Sequence, residues 1–144
     1  INVFFTCIKA FSATYDCLGI RKFVRFVQID RCHHKVRCCC VIRRQINFIR
    51  RHSPPENAVI LCGDFNLQQD ALNPFLEFGL TNCAEELGFG ALTGIDHILY
   101  RSGDKLKLTP VEWKILKTEF LFPDGKQLSD HSPVMTLFQV KAIP

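Results

Sequence analysis

The chain has 144 residues, 47% of them hydrophobic and 22% charged, with 13 Phe and a net charge of +4; this is the make-up of one packed domain and excludes a disordered or fibrous chain. No apolar stretch approaches the roughly 18 to 20 residues that span a bilayer, which excludes a transmembrane helix. The charge is divided: residues 1–52 hold 11 Lys/Arg against 2 Asp/Glu, a balance of +9, and residues 53–144 hold 7 against 12, a balance of −5.

Residues 1–8 are β-branched and aromatic over a strand-like length and predict a buried strand. Between Arg21 and Arg51 the spacing of Ile42, Ile46 and Ile49, with Arg43, Arg44, Arg50 and Arg51 on other faces, predicts an amphipathic helix. Ser53-Pro54-Pro55 stops it. Ala58 to Cys62 is a continuous apolar run ending at Gly63, the pattern of a strand buried on both faces, with Gly63-Asp64-Phe65-Asn66 at its carboxyl end. A helix is expected over Asp70 to Phe78, capped by Gly79. Ile95 to Tyr100 reads as a strand that turns at Ser102-Gly103-Asp104 and returns through Leu106 and Leu108 as a hairpin. Val111, Trp113 and Ile115 alternate with charged residues, Pro123-Asp124-Gly125-Lys126 is a turn, and Val134 to Val140 is the last strand.

Six of the eight Cys precede Ser53. Cys38, Cys39 and Cys40 are consecutive, which does not suit a disulfide framework and favours reduced thiols. Cys32-His33-His34 with Cys38 to Cys40 supplies ligand types without a recognised zinc spacing. The basic half suits nucleic acid or an anionic membrane surface. The opening Ile1-Asn2-Val3, with neither an initiator Met nor a signal peptide, reads as that of a fragment.

Two polar constellations carry chemistry. Asp64 and Asn66, two residues apart at a strand end, point the same way if the extended geometry continues; the carboxylate suits a divalent cation or a water, the amide a phosphate oxygen. Against this stands simple turn chemistry for G-D-x-N. Asp130 and His131 are adjacent and so point to opposite faces of an extended chain, which makes Asp130 a poor partner for the His131 ring. Asp96, a carboxylate within an apolar strand where an unpaired charge is costly, is the expected orienting partner, leaving His131 as a general base. His97 reads as a structural histidine.

Taken in order, Gly63-Asp64-Phe65-Asn66, Ile95-Asp96-His97-Ile98 and Ser129-Asp130-His131-Ser132-Pro133-Val134 resemble the endonuclease/exonuclease/phosphatase superfamily, the DNase I-like fold, over residues 58–140. Ile95 to Tyr100, Leu128-Ser129-Asp130-His131 and Ala13-Thr14-Tyr15-Asp16 are most similar to neutral sphingomyelinases, which hydrolyse sphingomyelin to ceramide and phosphocholine. The resemblance implies an α+β fold, a β-sandwich flanked by helices, present as the C-terminal part of one domain over residues 1–144 with 1–52 divergent. It implies a Mg²⁺-dependent phosphodiesterase acting on a phospholipid head group or nucleic acid, with contact at a membrane surface in the former case. Asp64, Asn66, Asp96 and His131 would be catalytic, and Asp64, Asn66, Asp130 and His131 would face the metal.

The departures fall in the basic half. Where the family carries an Asn-Thr-His-Leu-like strand whose Asn and His reach the phosphate, this chain has Phe5-Thr6-Cys7-Ile8, and neither Phe nor a neutral thiol replaces those donors. The family's metal-binding Glu has no counterpart. The expected activity is therefore impaired. The rivals are a nuclease of the same superfamily and a degenerate, non-catalytic basic binding module.

Overall fold

The computed structural model describes residues 2–7, 24–29 and 35–144, with side chains from residue 42 onward. The segment Ala13 to Asp16, the zinc ligand types Cys32 to His34 and the side chains of Cys38 to Cys40 lie outside the described residues. In chain order the elements are β1 (Asn2–Cys7), β2 (Val24–Ile29), α1 (Lys35–His52), β3 (Ala58–Asp64), a 3-10 turn at Gln69–Leu72, α2 (Asn73–Glu77), β4 (Thr81–Asn82), α3 (Cys83–Glu86), a second 3-10 turn at Gly90–Leu92, β5 (Asp96–Arg101), β6 (Leu106–Ile115) and β7 (Val134–Ala142).

Two sheets form: a three-stranded sheet in the order β1-β7-β6 and a four-stranded one in the order β2-β3-β5-β4. Residues of both sheets share one core. Ala58 and Ile60 of β3, Ile98 and Tyr100 of β5, Trp113 of β6 and Val134 and Phe138 of β7 pack together. The rings of Tyr100 and Phe138 meet edge-on across the sandwich at 5.4 Å. The alternate residues of the same strands, Val59, Leu61 and Leu99, face outward into a second core with Ile42 and Ile49 of α1, Leu72, Phe75 of α2 and Leu80. The uninterrupted run Ala58 to Leu61 follows from this double burial: each side chain lost from water is worth about 1.5 to 3 kcal/mol for a Val, Leu or Ile. This is the expected α+β sandwich, with α1 and α2 on the outer face of the four-stranded sheet.

The helix expected over Asp70 to Phe78 is broken in two. Pro74 opens α2, where the missing N–H costs nothing, and the preceding residues form a 3-10 turn. Gly79, at φ +92°, ends α2. Its N–H donates to Leu76 O at 2.9 Å and that of Leu80 to Phe75 O at 3.0 Å, a Schellman closure sealed by contact between Phe75 and Leu80.

The expected hairpin of β5 and β6 does not form. β5 pairs with β3 and β4, whereas β6 pairs with β7, so the turn at Ser102 to Lys105 carries the chain from one sheet to the other. Local alternation defines a strand but not its partner. Gly103 is required at this corner: a Cβ there would sit 2.4 Å from Glu56 O. Along β6 the inward phase moves from Leu106 and Leu108 to Trp113, because the register shifts between Pro110 and Glu112. Val111 falls in that bulge and is 48% exposed, not inward.

Candidate active site

β3 and β5 run antiparallel with Gly63 opposite His97 and Asp64 opposite Asp96. Two carboxylates thus leave neighbouring strands at one edge of the sheet. On the facing sheet, His131 lies three residues before β7, and Pro133 O receives the Leu116 N–H at 2.8 Å, which anchors that approach to the end of β6. His131 Nδ1 is 2.6 Å from Asp96 Oδ2, and His131 Nε2 is 3.9 Å from Asp64 Oδ2. A carboxylate only accepts, so Nδ1 carries the proton and Nε2 is left as the basic nitrogen toward Asp64. Burial pushes the Asp96 carboxyl above the usual carboxylate range, and the hydrogen bond and charge of His131 oppose that rise.

The extended geometry stops at Asp64. Asn66 adopts φ +50°, and its N–H donates to Asp64 Oδ1 at 2.9 Å, so the two residues close a side-chain turn instead of continuing the strand. This leaves Asp64 Oδ2 and Asn66 Nδ2 buried with no hydrogen-bond partner among the described residues. A buried, unpartnered carboxylate oxygen beside a buried, unpartnered amide donor is what a cation and an anionic oxygen would satisfy.

Among the described residues Asp64, Asp96 and His131 form a group whose ligand atoms all lie within 4.8 Å of one another. The donor set, two carboxylates and an imidazole, suits a hard or borderline divalent ion. The Nδ1 of His131 is occupied by Asp96, so Asp64 Oδ2 is the oxygen left open to an ion. Asp130, read from sequence as facing the metal, is exposed and outside this group; its Oδ1 receives the Ser129 hydroxyl at 3.4 Å.

Two partnerships were not legible in the sequence. His97, read there as a structural histidine, is buried with Nε2 2.8 Å from Leu67 O. The Thr93 hydroxyl donates to Gln69 Oε1 at 3.1 Å, tying the loop that leaves the Asp64 turn to the loop that enters β5. Both join residues more than 20 positions apart, and no local pattern signals such a bond. Phe5 and Cys7, the two departures, lie on β1 opposite Thr136 and Val134 of β7, in the strand beside the His131 approach.

No family model matches the chain. Sphingomyelinases of Mycobacterium tuberculosis and Mycobacterium bovis are each 32% identical to it over 115 residues, which cover 67% of this chain and 23% of theirs. The chain therefore spans about a quarter of the length of the curated relatives it matches. Among solved structures, a humanized TDP2 of D. rerio superposes with a TM-score of 0.64 at 22% identity, over 81% of this chain and 52% of that one. D. rerio TDP2 complexed with a single-strand DNA product gives 0.59 at 17% identity, over 81% and 55%. An endonuclease/exonuclease/phosphatase family protein of Bacteroides thetaiotaomicron gives 0.57 at 18%, over 81% and 50%. The chain thus has the fold of these endonuclease/exonuclease/phosphatase structures, the DNase I-like fold.

Proposed function

We propose that the chain carries the general-base side of the active site of a divalent-metal-dependent phosphodiesterase, of the sphingomyelinase type. The observation that carries this reading is the Asp96–His131 pair, with Nδ1 held at 2.6 Å and Nε2 turned toward Asp64. Asp96 fixes the tautomer and orientation of the ring, and Nε2 of His131 takes the proton of an attacking water. The Asn66 amide, buried without a partner, donates to a phosphate oxygen. Asp64 Oδ2 would hold the cation, Mg²⁺ on its oxygen chemistry, which when bound supplies charge to stabilise the phosphate in the transition state. The 32% identity with the two mycobacterial sphingomyelinases favours sphingomyelin as substrate, giving ceramide and phosphocholine.

A nuclease is the second reading, favoured by the likeness to the TDP2 structure that holds single-strand DNA and by the exposed Arg43, Arg44 and Arg51 of α1. Release of phosphocholine from sphingomyelin vesicles, measured beside cleavage of single-stranded DNA, separates the two. In either assay, run with Phe5→Asn and Cys7→His present to raise the rate, Asp96→Asn should lower it by about 10²- to 10⁴-fold while the fold is kept. Turnover that survives both Asp96→Asn and His131→Ala would contradict the assignment.

A further inference from the structure

We infer that His97 is a positioning residue: through its hydrogen bond to the Leu67 carbonyl it sets the turn that presents Asp64 and Asn66 to their ligand. The inference deepens the proposed function and rests on it for the identity of that ligand.

His97 follows Asp96 in β5, so its side chain leaves the opposite face of the strand, away from the pair made with His131. It is 1% exposed and belongs with the outer core: its ring meets Phe65 edge-on at 5.4 Å, and Phe65 meets Phe75 in the same way. A residue needed only to fill this space would be apolar. His97 instead places Nε2 2.8 Å from Leu67 O, a bond across 30 residues of chain. A carbonyl only accepts, so Nε2 carries the proton, and Nδ1 is buried with no hydrogen-bond partner among the described residues. Desolvation holds the ring below the ordinary histidine range, in keeping with a neutral imidazole.

The turn is thereby pinned on both sides of its least favourable residue. Before it, the Phe65 N–H donates to Ile95 O at 2.9 Å; after it, Leu67 O is held by His97. Between them Asn66 sits at φ +50°, a conformation that a free chain rarely adopts at a residue other than glycine. In that conformation its N–H closes on Asp64 Oδ1, and Asp64 Oδ2 and Asn66 Nδ2 are left without partners. Releasing Leu67 frees the turn to relax, and both ligand-facing groups lose their placement.

The test compares His97→Gln, whose Nε2 can occupy the place of the imidazole Nε2, with His97→Leu, which fills space without a donor. If His97→Leu does not fold, His97→Asn replaces it, being polar but too short to reach. Amide hydrogen exchange and a Mg²⁺ titration are followed by NMR on the whole chain. The donor-less variant should speed exchange at the Asn66 amide by about ten- to a hundredfold and weaken Mg²⁺ by a similar factor, as loss of an outer-shell partner does. Ile60 and Leu61 should keep their rates, and His97→Gln should stay within about threefold of the parent. Exchange at Asn66 that is unchanged, or that rises only as much as at Ile60 and Leu61, would show a merely structural histidine. A parent chain that shows no Mg²⁺ response at all would sink the metal reading instead, with the exchange comparison still deciding the role of His97.

Discussion

Asp64 and Asp96 stand opposite one another in the antiparallel ladder of β3 and β5. The register thus brings two carboxylates to one sheet edge, where Asp96 is hydrogen-bonded to His131 at 2.6 Å. Asp64 keeps one buried oxygen with no hydrogen-bond partner among the described residues, 3.9 Å from His131 Nε2. Such a pair trades stability for ligand binding, since burial and the nearby Asp64 charge both raise the cost of ionising Asp96.

Asp64→Asn should therefore stabilise the fold and weaken ion binding. The amide oxygen can still accept from the Asn66 N–H, while one of the two facing charges is gone. Without metal the gain should be about 1 kcal/mol, or about 3 °C in Tm. Mg²⁺ affinity should fall by more than about tenfold. Thermal unfolding in EDTA and calorimetry with Mg²⁺ check the two halves, and a lower Tm in EDTA would contradict the first.

The pH dependence of stability should carry the mark of His97. Its folded pKa is lowered by burial, so on acidification the unfolded chain takes up the proton first, from about pH 6.5 downward. Stability should thus fall as pH drops below about 6.5 and level off above it. In His97→Gln that pH-dependent loss should be missing, so the parent should lose stability relative to the variant as pH falls below about 6.5. Urea titrations between pH 5 and 8 measure this; parallel curves would contradict it.

Gly103→Ala should cost about 1 to 3 kcal/mol, because the new Cβ would lie 2.4 Å from Glu56 O and 2.6 Å from Ala58 N, backbone atoms that cannot swing aside. Gly125→Ala is the control. Its site is open, and only its φ of +82° is unfavourable, so it should cost about 1 kcal/mol. Urea midpoints for both decide the matter; a smaller loss at Gly103 than at Gly125 would show that the corner is not packed as described.

The unmodified chain should have little phosphodiesterase activity, and Phe5→Asn with Cys7→His should raise it by more than about tenfold. Both positions lie on β1, paired with β7 beside the His131 approach, where the superfamily resemblance places phosphate donors. A general base without such donors lacks the larger electrostatic part of the rate. Initial rates on sphingomyelin and single-stranded DNA test this, and turnover by the parent chain within the usual enzymatic range of about 1 to 10³ s⁻¹ would contradict it.

The sequence by itself determined β3, through an apolar run that only double burial explains, and the order of the polar motifs at strand ends. Reading Asp130 and His131 as pointing opposite ways already led to Asp96 as the partner of the ring, although the two residues lie in a bend and not in an extended strand. What only the tertiary structure decided was partnership across distance. Alternation at Leu106 and Leu108 was compatible with pairing to β5 or to β7, and the choice fell to β7 because the two sheets bury their faces against each other. The left-handed turn at Asn66 and the His97 bond to Leu67 were equally hidden. Each depends on groups that meet only after β3 and β5 have aligned, and strand periodicity fixes which face a residue takes but not what lies opposite it.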